Sequence, residues 1–206
     1  MRKKIYSISG LLASLLFYSV FLFMTLNFSE ETKELIIDSS FSITSLNIEN
    51  FEFQNYLKWS YIVIGSLCLI QSITLFTKSK NKISPILLII SALLIISCGL
   101  ITTSLESFEN TFLILWSTIL RPIIILGCLQ IGFILFFAID KELFKKSTRF
   151  ALISISILTI ISGFIQISTH GINQLQFSFL SWILYFLGFI IISVDQLKEK
   201  TLHNTV

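Results

Sequence analysis

Six long apolar tracts dominate the chain and restrict it to one class of fold. An α-helix needs about 20 apolar residues to cross the roughly 30 Å hydrocarbon core of a bilayer. Tracts of about this length cover residues 5–28, 57–77, 83–104, 111–139, 149–169 and 177–195. With 54% hydrophobic and 13% charged residues, the composition excludes an ordinary soluble domain. The sequence predicts an all-α, polytopic membrane protein with one six-helix domain over residues 1–206.

The charged residues between the tracts predict the orientation of the chain. If the N-terminus is cytoplasmic, twelve basic residues fall on the inside and only Lys33 and Lys58 on the outside. The inner set is Arg2, Lys3, Lys4, Lys78, Lys80, Lys82, Lys141, Lys145, Lys146, Arg149, Lys198 and Lys200. Because cytoplasmic loops of membrane proteins are enriched in Lys and Arg, both termini are expected in the cytoplasm of a cell bounded by this membrane.

Short connections predict how the helices are arranged. Every connection except the first is short, so consecutive helices should be antiparallel neighbours in an up-down bundle. The exception is the outer loop over residues 29–56, whose alternating apolar and polar residues suit a hairpin or cap, with an interfacial helix as the competing interpretation. Ser84 and Pro85 are read as the N-cap and first position of the third helix.

Small and polar residues recur at helical spacing in every tract and form one seam on each helix. The seams are Ser7, Gly10, Ser14, Tyr18 and Thr25; Tyr61, Gly65, Cys68 and Ser72; Ser84, Ser91, Cys98 and Thr102; Arg121, Cys128 and Gly132; Thr159, Ser162, Gln166 and Thr169; and Ser181, Tyr185, Gly188 and Asp195. Membrane helices associate through small residues and interhelical hydrogen bonds, so the seams should point inward.

Two interpretations of the seams stay open. In the first, the seams serve packing alone. In the second, they line a central cavity, because Tyr18, Tyr61, Gln166 and Tyr185 are larger than close packing needs and can hydrogen-bond a ligand.

Arg121 is the one basic residue expected inside a span, near its outer edge, and Pro122 should kink the helix beside it. A guanidinium at membrane depth needs a partner, and the nearest acidic candidates are Glu106 and Glu109 on the preceding loop, with Glu49 and Glu52 on the long first loop. Arg121 either closes such an ion pair, or reaches lipid phosphates, or forms an outward-facing site for an anion or head group.

Two acidic residues end the fourth and sixth spans on the inner side. Asp140 and Asp195 lack the motifs of intramembrane aspartyl proteases, and neighbouring lysines suggest that both are solvated at the interface.

Several chemistries lack the residues that they need. The only histidines are His170 and His203, and no nucleotide-binding, hydrolase or zinc-protease motif occurs. We therefore expect no cofactor, no metal site and no nucleic-acid partner, and we identify no catalytic residue. The expected partners are membrane lipids, with another membrane protein as a second candidate, for which an aromatic face of Phe133, Phe136 and Phe137 would be available.

The layout resembles a prokaryotic membrane family, domain-of-unknown-function family 998. The resemblance is carried by Ile43-Thr44-Ser45-Leu46, Gly65, Gly99-Leu100, and Gly171 to Gln174 with Trp182. The sequence departs from the family in lacking a Pro-Tyr in the first loop, a Phe-Pro after the third span and a His at the start of the fourth. Membership implies a six-helix bundle and no particular activity.

These observations favour a non-enzymatic ligand-binding, lipid-binding, sensory or accessory subunit of the cytoplasmic membrane. A small-molecule transporter or channel is the alternative, and a membrane enzyme is the third class. A continuous aqueous path along the seams would favour transport, whereas a dry, tightly packed interior would speak against it.

Overall fold

The computed structural model of the chain describes residues 2–27, 54–100, 120–141, 143–168 and 174–203, and these residues form helices joined by short connections. Within these ranges there are six helices and no strand. They are α1 (Arg2–Asn27), α2 (Gln54–Lys78), α3 (Ile83–Leu100), α4 (Arg121–Ala138), α5 (Lys146–Ser168) and α6 (Gln174–His203). The predicted all-α class is confirmed for this part of the chain.

Each predicted span overlaps one helix, but the ends differ. Helix α6 continues to His203, past the predicted end at 195. The prediction was based on apolarity, which marks only the part of a helix that would lie within a bilayer. Beyond that part, good helix formers such as Lys198 and Lys200 allow the helix to continue. Most of the predicted outer loop lies outside the described residues, as do the end of the third predicted span and the start of the fourth.

The start of α3 also differs from its prediction. The helix begins at Ile83, and the side chain of Asn81 provides the local hydrogen bonds. Its Oδ1 accepts from the Ile83 N–H at 3.1 Å, and its Nδ2 donates to Ser84 Oγ at 2.9 Å. Ser84 is therefore inside the first turn and is not the N-cap.

The six helices form a closed ring. Each helix packs on the next one in sequence, and α6 packs back on α1. Helices α1 and α6 are antiparallel. Ser14 on α1 contacts Phe186 on α6, whereas Tyr18, one turn later on α1, contacts Ile183, which comes earlier on α6. Since the helices alternate in direction, the start of α1 and the end of α6 lie at one end, together with residues 79–82, 139–141 and 143–145 of the connections. We call this the basic end.

Close approach of α2 and α3 depends on glycine. A Cβ built on Gly65 would lie 2.9 Å from the Ile96 nitrogen and 3.0 Å from the Ala92 oxygen. A Cβ built on Gly99 would lie closer still to the Lys58 carbonyl oxygen on the opposite helix. These glycines let two helix backbones touch, as small residues do between membrane helices.

Polar side chains are buried in the bundle beside an apolar core, and large aliphatic side chains cover its outside. Seam residues with described side chains are buried, except Tyr18 and Cys128, which are half-buried. Large aliphatic residues are exposed on all six helices, among them Leu12, Leu15, Val63, Ile70, Ile90, Leu93, Ile131, Ile134, Ile157, Leu158, Leu187 and Val194. The predicted inward direction of the seams is confirmed for these residues.

The proposed aromatic face of α4 is wrong. Phe133 and Phe136 are both 0% exposed, and Phe137 is half-buried with its ring 5.3 Å from that of Phe150. The face that carries Phe133 and Phe136 fills the bundle interior, where Phe133 occupies the space that a side chain at Gly188 would need.

Two helical segments, Asn55–Lys78 and Ile83–Leu100, are long and apolar enough to cross a membrane. Shorter apolar segments run over Ile8–Met24, Ile123–Ala138 and Ser181–Leu197. Within the described residues, length and composition alone therefore identify two candidate membrane spans.

Candidate functional site

Tyr185 lies at the centre of the bundle and joins three helices. Its side chain is fully buried, and its hydroxyl is 3.0 Å from Ser91 Oγ. Ser91 Oγ in turn donates to the Ile125 carbonyl at 3.2 Å. Because Ser91 has one hydroxyl proton, the Tyr185 hydroxyl is the donor of the first bond. The chain Tyr185–Ser91–Ile125 therefore links α6, α3 and α4.

Tyr18 joins α1 to α6. Its hydroxyl donates to the Ile183 carbonyl at 2.8 Å, and one turn earlier Ser14 Oγ lies 2.9 Å from the Phe186 carbonyl. Between them, the rings of Phe17 and Phe186 stack with centroids 4.1 Å apart. The hydroxyl that was predicted to meet a ligand is used to hold two helices together.

Tyr61 is buried on α2 beside two small cavities. One, of about 10 Å³, is also lined by Phe17, Trp182 and Phe186, and the other, of about 20 Å³, lies towards Met24 and Leu57. Spaces of this size hold about one water molecule. The three tyrosines therefore surround packed aromatic rings and do not share a ligand-sized cavity.

The remaining predicted site residues cannot be placed at the level of side chains. Arg121 begins α4 at the end opposite the basic end, and Gln166 lies near the end of α5. Their side chains lie outside the described residues, as do Glu106 and Glu109 entirely. Pro122 follows Arg121 in the first described turn of α4, and the residues before Leu120, which the predicted kink also involves, lie outside the described residues. The anion site at Arg121 stays a prediction.

Three buried glutamines were missed by the seam analysis. Gln71 Nε2 donates to Ser193 Oγ at 2.8 Å, which connects α2 to α6. Neither amide atom of Gln130 or Gln196 has a hydrogen-bond partner among the described residues. A glutamine within an apolar tract could have indicated these positions, because burying a side-chain amide is costly unless it is hydrogen-bonded.

Asp140 is buried at the basic end, contrary to the expected interfacial solvation. It is 4% exposed, and its two carboxylate oxygens accept from Ser79 Oγ at 2.7 Å and from the Asn81 N–H at 3.2 Å. The carboxylate therefore fastens the connection between α4 and α5 to the one between α2 and α3.

Asp195 has a similar role, and its expected solvation is also wrong. It is 8% exposed, and its Oδ2 accepts from the Lys145 N–H at 3.2 Å, directly before α5 begins. A carboxylate at this place satisfies an otherwise unpaired amide and interacts favourably with the helix dipole.

A cleft of about 430 Å³ opens between the two connections at the basic end. It is lined by Lys78 and Lys80 on one side and by Ile139, Asp140, Lys141 and Leu143 on the other. Its volume lies within the range of small-ligand sites, in contrast to the cavities beside Tyr61. Among the described residues, no group of three or more His, Cys, Asp or Glu side chains could hold a metal ion.

No protein-family model, no curated protein and no solved structure matches the chain. The resemblance to family 998 is therefore carried by the quoted sequence features alone, and the function has to be inferred from the geometry.

Proposed function

We propose that the chain is a six-span protein of the cytoplasmic membrane with both termini in the cytoplasm, and that it acts as a non-enzymatic lipid-binding or accessory subunit. One observation carries the proposal: Ser, Thr, Gln and Asp side chains are buried beside the apolar core, whereas large Leu, Ile and Val side chains are exposed on the outer surface of all six helices. In water this arrangement would expose large apolar areas, but in a bilayer it places them against acyl chains.

The ends of the bundle support the proposed orientation. Lys78, Lys80 and Lys82 lie at the basic end with Lys141, Lys145, Lys146 and Arg149, whereas Lys58 lies near the start of α2 at the other end. An excess of Lys and Arg on one side is the usual mark of the cytoplasmic face.

The packed interior favours binding at a surface over transport. The hydroxyls of Tyr18 and Tyr185 are used in helix contacts, and aromatic rings fill the space between them. The cavities of about 10 and 20 Å³ beside Tyr61 are too small to carry a solute. The transporter alternative therefore gains no support from this part of the chain.

Accessibility of single added cysteines to a membrane-impermeant maleimide tests the topology. In intact cells, Ser39→Cys in the first loop should be labelled, whereas Ser147→Cys at the exposed start of α5 should be labelled only after lysis. The unsubstituted chain is the control, because its own cysteines lie within the helices. Labelling of Ser147→Cys in intact cells, or extraction of the protein by alkaline carbonate without detergent, would contradict the proposal.

A further inference from the structure

The cleft at the basic end combines positive charge with an apolar wall. Its lining carries three ammonium groups, from Lys78, Lys80 and Lys141, and one carboxylate, from Asp140. The lysines are exposed, whereas Asp140 is buried with both of its oxygens bonded to Ser79 and Asn81. Among the described lining residues, the exposed Lys78 and Lys141 therefore offer positive charge to a ligand.

The base of the cleft is held in place by hydrogen bonds within the protein. Besides the bonds to Asp140, the Leu143 N–H donates to the Asp140 carbonyl at 3.2 Å and the Lys141 N–H to the Ile139 carbonyl at 3.0 Å. These bonds hold Ile139, Lys141 and Leu143 beside Asp140 along one wall of the cleft.

We infer that this cleft binds a phosphate group, and specifically that of an anionic lipid head group. Lysines bind phosphate as mobile point charges, and several around one cleft can surround its oxygens. Ile139 is 55% exposed beside them and offers an apolar contact to the glycerol or acyl part of a lipid. This inference rests on the proposed function, since the cleft lies just beyond Lys78 and Ala138, where α2 and α4 end. In the proposed topology this is the head-group level of the cytoplasmic leaflet, which is rich in anionic lipids.

Calorimetric titration of the full chain in an uncharged detergent tests the site. The probes are dioctanoyl phosphatidic acid, inorganic phosphate and dioctanoyl phosphatidylcholine. We expect saturable binding of phosphatidic acid and none of the zwitterionic lipid. Binding of phosphatidic acid alone identifies a lipid as the source of the phosphate, whereas equal binding of inorganic phosphate identifies the free anion. Failure of both phosphate probes to bind overturns the inference.

A matched pair of double variants separates a site from diffuse surface charge. Lys78→Gln/Lys141→Gln removes two charges from the cleft, and Lys145→Gln/Lys146→Gln removes two exposed charges at the same end but outside it. At about fivefold per lysine, the first variant should weaken binding on the order of 25-fold, whereas the second should change it about twofold or less. Equal losses in the two variants, or no loss in the first, would overturn the inference.

The result of the binding experiment does not depend on the membrane topology of the chain. Calorimetry in detergent reports on the cleft whichever way the chain is inserted, and cysteine labelling reports on insertion whether or not the cleft binds phosphate. Because the substituted lysines are exposed, circular dichroism and gel filtration should show that both variants fold as the parent does.

Discussion

Gln71 and Ser193 are both fully buried and share a hydrogen bond of 2.8 Å between Nε2 and Oγ, although they belong to α2 and α6, which are separated in the ring by α1. The contact is possible because α1 carries Gly10 at this level. A Cβ on Gly10 would coincide with the carboxamide of Gln71. One residue without a side chain thus lets the two helices on either side of α1 meet.

Replacing Gly10 by alanine should destabilise the bundle. The added methyl group would displace the Gln71 carboxamide and break its bond to Ser193, at a cost of about 1–3 kcal/mol for overpacking. Thermal unfolding in detergent measures the effect. Gly127→Ala is the matched control on α4, since nothing lies within 4 Å of a Cβ built there, and it should be neutral or slightly stabilising. Equal destabilisation by the two substitutions would contradict the role given to Gly10.

Replacing either of two buried glutamines by leucine should change the free energy of unfolding, but in opposite directions. Gln130 has neither amide atom paired among the described residues, so Gln130→Leu should raise the free energy of unfolding by about 1–2 kcal/mol. Gln71→Leu should lower it by a similar amount, because Ser193 loses its partner. Chemical unfolding in mixed micelles compares the variants. A destabilising Gln130→Leu would mean that this amide has a partner in the folded protein.

The bond between Tyr185 and Ser91 should be measurable as a coupling energy. Tyr185→Phe and Ser91→Ala each remove one hydroxyl from the link between α6, α3 and α4. In a double-mutant cycle the two changes should be non-additive by about 0.5–1.5 kcal/mol, the range for an interhelical hydrogen bond. Full additivity would show that the 3.0 Å contact contributes no stability.

Asp140 should tolerate asparagine far better than alanine. Asp140→Ala removes both acceptors: the Asn81 N–H loses this partner, and the Ser79 hydroxyl keeps only the Asn81 carbonyl, which together costs about 1–3 kcal/mol. Asparagine can still accept from the Asn81 N–H through its oxygen and donate to Ser79 through its nitrogen. Thermal unfolding ranks the variants, with the exposed Lys141→Ala as a neutral control. An asparagine variant as unstable as the alanine variant would point to a requirement for the negative charge itself.

Much of the helical architecture could be predicted, because it depends on properties that are local in sequence. Tracts of about 20 apolar residues located all six helices, and the spacing of Gly65, Cys68 and Ser72 identified the buried face of α2. The aromatic residues on α4 were placed on the wrong face, since apolarity alone does not separate lipid-facing from core-facing rings. Phe133 and Phe136 are core residues because Gly188 leaves space for a ring on the facing helix.

The candidate site was less predictable. The cleft depends on how two connections 59 to 61 residues apart fit together through the bonds that Asn81 and Ser79 give to Asp140. The same holds for Gln71 and Ser193, 122 residues apart, which meet only because of the ring order and the relative heights of α2 and α6. For the described residues, the sequence alone determined the helix class, the positions of the six helices and their inward faces, since composition and period act within one helix. Tertiary packing decided which polar groups found partners, because a hydrogen bond between helices needs register to within a fraction of an ångström.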